Sequence, residues 1–316
     1  MCVYKEMKRF CLVAMLLLPA MTGWAQQDVS FSHYWVMEPS FNPAAAGKDD
    51  KLNIAGAYAL QLAGFEHNPK TMYIAADMPF YALNTYHGVG VQLMNDDIGL
   101  FSHKRVGLQY AYKKALFGGM LSIGLQATLL SEGFNGSKLD LIDVDDQAFS
   151  TTDITGTGFD LGVGLYYKRR NWYLGISVLH LNSPRVELGT TNELNISSSY
   201  YLTGGYNIRL RNPFLSIHTS ALGRYDGVAW RADVTGRLVY SHEKKLMYAG
   251  LSYSPTTSVT VIVGGNFHGI HVGYSYEVYT SAINIGNGSH ELFVGYQTTL
   301  NLYKKGRNLH KSVRYL

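Results

Sequence analysis

The sequence predicts an all-β protein, a transmembrane antiparallel β-barrel of about fourteen strands preceded by a short irregular plug-like segment. Three observations carry this. Apolar and polar residues alternate with a period of two in segment after segment. Long and short connections sort onto opposite ends of the strands. Charged residues are 16% of the chain, below the roughly 25% of soluble domains, while Tyr (24) and Gly (33) are abundant and mean hydropathy is −0.05.

The clearest alternation is the last. Ile270, Val272, Tyr274, Tyr276 and Val278 share one face, and His271, Gly273, Ser275 and Glu277 the other. Beyond a loop at 284–289, Leu292, Val294, Tyr296, Thr298, Leu300 and Leu302 alternate with Glu291, Gly295, Gln297 and Asn301. Such a hairpin has one greasy and one polar face. In a barrel the greasy face meets lipid and the polar face lines the interior.

The N-terminus has the form of a secretory signal peptide. Lys5, Lys8 and Arg9 precede an apolar run from Phe10 to Ala20, with small residues at Gly23 and Ala25. Cleavage near Ala25 removes Cys2 and Cys11 and leaves no cysteine, which excludes disulfide, thiolate and Cys-zinc chemistry. The mature chain then carries 24 basic and 22 acidic residues, a net +2 that makes no case for nucleic acid. Residues 26–50, with Pro39 and Pro43, lack alternation and are expected as an irregular periplasmic or plug segment. Residues 51–303 form the expected barrel, and 304–316 a basic periplasmic tail.

Alternating segments then follow at Leu52–Leu62, Met72–Met78, Val89–Leu93, Val106–Tyr112, Leu121–Leu129, Phe159–Tyr167 and Trp172–Val178. Others run through Tyr200–Ile208, Leu215–Tyr225, Val228–Tyr240, Leu246–Tyr253 and Val259–Phe267. If the first strand rises from the periplasm, the connections at 81–86, 115–119, 169–171, 211–213, 242–245 and 268–269 are periplasmic, and all are short. The long ones, 131–156 and 182–197, fall outside, as in bacterial outer-membrane barrels. A soluble sandwich has no reason to sort its loops so.

Charges sort as well. Lys113, Lys114, Arg169, Arg170, Arg211, Lys244, Lys245, Lys304 and Lys305 are expected as a basic ring at the periplasmic rim. Its expected role is either seating the barrel against anionic head groups or docking an acidic periplasmic partner. Acidic residues such as Asp96, Asp97, Asp140, Asp143, Asp145, Asp146 and Asp153 gather in the outer loops. The run from Asp140 to Asp146 lacks the Gly and Glu of an EF-hand and reads as a solvated loop. Asp160, Lys168, Arg209, Arg224, Arg231, Asp233, Arg237, Glu277 and Glu291 fall on the interior face. Their mixed signs favour a mutually neutralising network over a selective pore or a bound polar ligand. Gly88-Val-Gly90 and Gly162-Val-Gly164 are read as strand glycines easing curvature, not as nucleotide loops. His290 and Glu291 point to opposite faces and cannot act on one atom. No hydrolase, zinc-protease or P-loop motif occurs, so no enzyme and no cofactor is expected.

The chain resembles the PorP/SprF family of outer-membrane proteins, which accompany the type IX secretion and gliding systems of Bacteroidota. The residues that carry this are Gln27-Asp28, Phe31-Ser32-His33-Tyr34, Asn42-Pro43-Ala44-Ala45-Ala46-Gly47, Thr71, Asp77-Met78-Pro79, Tyr110-Ala-Tyr112, Leu121–Leu125 and Tyr173–Val178. The closing Gly273-Tyr-Ser-Tyr-Glu277 and Ser289-His-Glu-Leu292 are the most specific. Ala59 and Leu62 stand where the family has Arg and Trp, and Glu277 where Asp is common. The resemblance implies a non-enzymatic partner of type IX components that anchors or helps deliver a secreted, adhesin-like surface protein, with periplasmic machine subunits as further partners. It points to Asn42, Pro43, Ala44 and Gly47 as plug or partner-binding residues. The Asn-Pro-Ala signature is also similar to the plug of the FadL family of hydrophobic-compound transporters, which implies a diffusion channel as the alternative.

Overall fold

The computed structural model describes residues 28–138, 152–189, 192–243, 245–255, 257–280 and 287–299. Its strands are β1 (Leu52–Leu60), β2 (Lys70–Ala82), β3 (Thr85–Ile98), β4 (Phe101–Leu116), β5 (Gly119–Asn135), β6 (Asp153–Arg169), β7 (Trp172–Leu179), β8 (Arg185–Leu188), β9 (Asn192–Asn195), β10 (Ser199–Arg209), β11 (Leu215–Tyr225), β12 (Trp230–His242), β13 (Lys245–Ser254), β14 (Ser258–Phe267), β15 (Ile270–Tyr279) and β16 (Ser289–Thr298).

Fourteen of these close into one antiparallel barrel, in which β10 pairs with β7 and β8 and β9 form a separate hairpin. Closure is made by β1 on β16, with Gly56 opposite Val294, so the barrel sheet has no free edge. A membrane demands this, because an unpaired backbone group in hydrocarbon costs several kcal/mol.

The alternation sets the two faces. Ile123, Leu125 and Leu129 of β5 point out, while Ser122, Gln126, Thr128 and Leu130 are buried inside. Outward aromatic residues collect near both ends of the strands. Tyr112, Tyr206, Phe214, Tyr240, Phe267 and Tyr296 lie towards the short-turn end, and Phe101, Phe159, Tyr200, Tyr225, Trp230 and Tyr253 towards the other. These are the interfacial girdles of a spanning barrel.

The turns fit their sides. Leu83-Asn84, Phe117-Gly118 and His268-Gly269 are two-residue connections with positive φ at both positions, the backbone that matches strand twist in tight hairpins. At the opposite end, β4, β5 and β6 run 16 or 17 residues, against 10 in β13 to β16. About 9–11 residues cross a bilayer, so this side of the wall stands proud of the membrane. The β8–β9 hairpin folds back against it. Val186 is fully buried with Leu130 and Ile196. By the loop rule the short-turn end is periplasmic and the tall end extracellular.

Candidate functional site

The interior is occupied by the chain itself. From Asp28 near the tall end, the N-terminal segment descends through the lumen to Asp50 at the short-turn mouth, where β1 begins. It contains two single 3-10 turns, Glu38–Ser40 and Pro43–Ala45. Phe31 and Met37 pack with Ala57, Ala75, Tyr73 and Phe293 of the wall, and Tyr34, Trp35 and Phe41 with Leu179, Tyr201, Leu222 and Ile262. Each such burial contributes about 1.5–3 kcal/mol as an upper bound. The segment is therefore a packed core element and not a loose tail.

At the tall end Asp28 is clamped. Arg105 Nη1 donates to it at 2.7 Å, Tyr201 Oη donates at 2.7 Å, and His180 Nε2 lies 3.2 Å away. His180 Nδ1 sits 3.0 Å from Asp160. Burial opposes the charge on Asp28, but Arg105 and His180 hold its carboxyl well below the usual range. Burial likewise pulls His180 down, yet Asp28 and Asp160 carry it up to about 9.

In the middle, Glu291 of β16 accepts from the backbone N–H of Ser32 (2.6 Å) and of His33 (3.0 Å) and pairs with His33 Nδ1 at 2.6 Å. Tyr34 Oη lies within hydrogen-bond distance of the Ser220 and Thr235 hydroxyls, at 3.1 and 3.0 Å. The Arg237 guanidinium stacks 3.7 Å over the Trp35 ring. Lower down, Asn42 caps its own turn by accepting from Ala44 N–H (3.0 Å) and donates to the Leu165 carbonyl (3.1 Å). Ser177 donates to the Phe41 carbonyl, and Gln109 to that of Pro39. These contacts satisfy polar backbone that burial would otherwise leave unpaired.

At the mouth, Gly47 adopts φ +62° and its N–H donates to Asp77 at 2.7 Å, while a Cβ there would stand 2.8 Å from the Met78 carbonyl. Lys48 Nζ bonds Glu38 at 2.6 Å, and Lys168 Nζ bonds Asp49 at 2.7 Å.

Several expected residues therefore meet. Asn42, Pro43, Ala44 and Gly47 are buried plug residues locked against β2, β5 and β6. Asp160, Arg237 and Glu291 each hold a plug residue or the His180 that clamps one. Arg231, Asp233 and Glu277 form a separate cluster on the wall, with Arg231 3.1 Å from Asp233 and 2.9 Å from Glu277. Arg209 has the inward parity but sits exposed at the end of β10, and no ion pair joins it to these groups among the described residues.

Other placements depart from expectation. Residues 28–50 of the segment expected at or within the periplasmic mouth extend up the lumen as far as Arg105 and His180, where their apolar side chains and backbone find partners. Lys113 is not on the outer rim. It shares parity with Gly107, Gln109 and Ala111, points inward and is 4% exposed. Lys114, Arg169, Arg170, Arg211 and Lys245 are exposed at the short-turn end, as their ring requires. The glycines at 88 and 164 do line the lumen, but their reason is clearance. A Cβ at Gly88 would lie 2.0 Å from the Ala46 carbonyl, and one at Gly164 2.1 Å from Asn42 Oδ1. The signal peptide, Lys244, Lys304, Lys305 and the acidic loop at Asp140–Asp146 lie outside the described residues. Among the described residues no group of three acidic, His or Cys side chains is placed to hold a metal ion. Arg105, His180 and Tyr201, which clamp Asp28, escaped the sequence reading. The lumen-side parity of Arg105 with Gln109 was the available signal.

These features define a class, a closed outer-membrane-type barrel with its own N-terminal segment packed inside it. Over residues 24–296 the chain matches the family described as type IX secretion system membrane protein PorP/SprF, and it belongs to that family. No curated protein matches it. Among solved structures it is similar to the CymD monoaromatic hydrocarbon channel at 10% identity, over 89% of this chain and 97% of that one, with a TM-score of 0.52. It is also similar to a deletion mutant of the TodX monoaromatic hydrocarbon channel (12% identity, 82% and 93% covered, TM-score 0.43). A third is BamA from Haemophilus ducreyi (10%, 78% and 70%, TM-score 0.44). At 10% identity the likeness to the first of these is one of fold alone.

Proposed function

We propose that this protein is a non-enzymatic component of the type IX secretion machinery that sits in the outer membrane after cleavage near Ala25. In this reading it anchors or helps deliver a secreted, adhesin-like surface protein. The observation that carries it is the sealed lumen. Five large plug side chains and a chain of buried hydrogen bonds occupy the route a solute would take. A barrel so filled offers its two mouths to partners. The tall β4–β6 wall and the β8–β9 hairpin face the surface protein, and the basic rim faces acidic periplasmic subunits, with gliding adhesins among the cargo the family resemblance suggests.

The second reading is a diffusion channel for small or hydrophobic compounds. Its support is the fold shared with a protein named as a monoaromatic hydrocarbon channel. It requires the plug to move, since charged and hydrogen-bonded groups now block the path.

Affinity purification of the full chain from its native membrane tests the anchor. Recovery of a large secreted protein on the cell surface, lost when the barrel gene is deleted, is the expected result. Normal retention of every surface protein in the deletion strain would overturn it.

A further inference from the structure

Among the described residues, Lys113 at the short-turn mouth makes no ion pair with the plug. Its side chain runs inward along β3, so that a Cβ at Gly88 would come within 3.0 Å of Lys113 Cε. The residue is 4% exposed. Three nearby carboxylates are already engaged, and Asp50, which lines the same mouth, is exposed to solvent. Glu38 holds Lys48, Asp49 holds Lys168, and Asp77 receives the Gly47 N–H at 2.7 Å and Asn53 Nδ2 at 3.2 Å. No carboxylate lies within 4 Å of the Lys113 ammonium among the described residues, and no hydrogen bond to that ammonium is made there.

A buried ammonium left unpaired is costly, and it stays only where a counter-charge or water can reach it. Here something can. Lys113 opens onto a cavity of about 440 Å³ at the periplasmic mouth, lined also by Asp49, Tyr86, Ser122, Tyr166 and Lys168. Ser122 lies directly opposite Lys113 in the β4–β5 register, and Tyr166 opposite Ser122 in the next. The three side chains therefore form one inward row, an ammonium followed by two hydroxyls. Lys113 and Ser122 suit an oxyanion, since the ammonium supplies charge and the Ser122 hydroxyl a donor, while the Tyr166 hydroxyl beside them is held by Glu38. The exposed Lys114, Arg169 and Arg170 around the mouth add a field that draws negative charge towards it.

We propose that this vestibule is a carboxylate-recognition site, with Lys113 as its anion seat, and that its occupant is an acidic side chain on a segment of a periplasmic protein. This rests on the reading that a periplasmic partner docks at the basic rim, and it names the contact inside that rim. A cavity of this size accepts several residues, which distinguishes it from a seat for a lone ion. The pairing moves no proton and forms no covalent bond.

The test reads Lys113 directly. The full-length mature protein is produced in detergent micelles with ¹⁵N-labelled lysine, and the ammonium resonance lost in Lys113→Gln assigns the site. Retained heat-modifiable migration shows that this variant is folded. A five-residue acetylated, amidated peptide rich in Asp is titrated at constant ionic strength, with acetate and inorganic phosphate as separate probes. The expected result is a saturable shift of the Lys113 resonance, with the peptide binding at least about tenfold more tightly than acetate, a gain of about 1.4 kcal/mol, and with peptide binding lost in Lys113→Gln. Two results overturn the proposal. One is no shift with any probe. The other is a shift with acetate or phosphate but none with the peptide, which would make the vestibule a free-anion site. No partner is present, so failure here is distinguishable from failure of rim docking, which co-purification reads.

Discussion

Nδ1 of His33 lies 2.6 Å from Oε1 of Glu291, across 258 positions of sequence. Both belong to the short stretches that mark the family resemblance, one in the plug and one in the last strand. Their contact joins two distant motifs, since the last strand closes the barrel and also holds the segment that fills it. Glu291→Ala leaves His33 and two backbone N–H groups without their acceptor. Removing one partner of a buried pair costs about 3–5 kcal/mol. Glu291→Gln keeps an oxygen there and should cost less, about 1–3 kcal/mol. Hydrogen exchange across 28–40 is the check, and unchanged protection in Glu291→Ala would sink this assignment.

Clearance gives a sharper test of where the plug sits. A Cβ at Gly124 would lie 2.1 Å from the Ala44 backbone nitrogen, whereas one at Gly236 meets nothing within 4 Å. Gly124→Val should unseat the Asn42–Ala45 turn and make the lumen leaky to small ions. Gly236→Ala should behave like the parent. Equal ion leakage from the two variants in liposomes would contradict the packing.

The clamp on Asp28 carries a pH signature. A depressed carboxylate stabilises above its ordinary value of 3.8 and loses that contribution as pH falls towards its folded value. His180, raised from 6.5 to about 9, contributes fully below 6.5 and loses its contribution as pH rises through about 9. The tether should therefore be complete between about pH 4 and 6.5, weaken progressively above 6.5 and lose the His180 contribution by about pH 9. Exchange at residues 28–36, corrected for the intrinsic pH dependence, should rise between about pH 6.5 and 9. In His180→Gln that rise should be absent and the plug end looser at pH 6.

The exposed rim residues Arg169, Arg170 and Lys245, with Lys244, provide the partner test. Changing all four to Glu should leave insertion normal and abolish co-purification of periplasmic secretion subunits, with a salt dependence typical of steering. Full co-purification at physiological salt would leave the ring as a membrane anchor only.

Much of the wall was legible in the sequence because period-two alternation is a direct image of a two-faced sheet, and the lipid-facing residues of β5 and β16 were read off it. What lay hidden depends on contacts between distant segments. The plug has no periodicity, so its depth in the lumen could not be read from residues 28–50. Glu291 could be assigned to the interior, but not to His33. Lys113 shows the opposite case. Its proximity to a short turn suggested the rim, although its parity with Gln109 and Ala111 already pointed inward. The inward glycines spoke of the lumen, but only the position of the plug distinguishes clearance from curvature.

The central claim is that the N-terminal segment seals the barrel, and single-protein conductance in a planar bilayer tests it most directly. The intact mature protein should insert without a resolvable steady current, and Gly124→Val should show discrete openings under the same voltage. A large, steady current from the intact protein would contradict the sealed-lumen account and favour the channel reading.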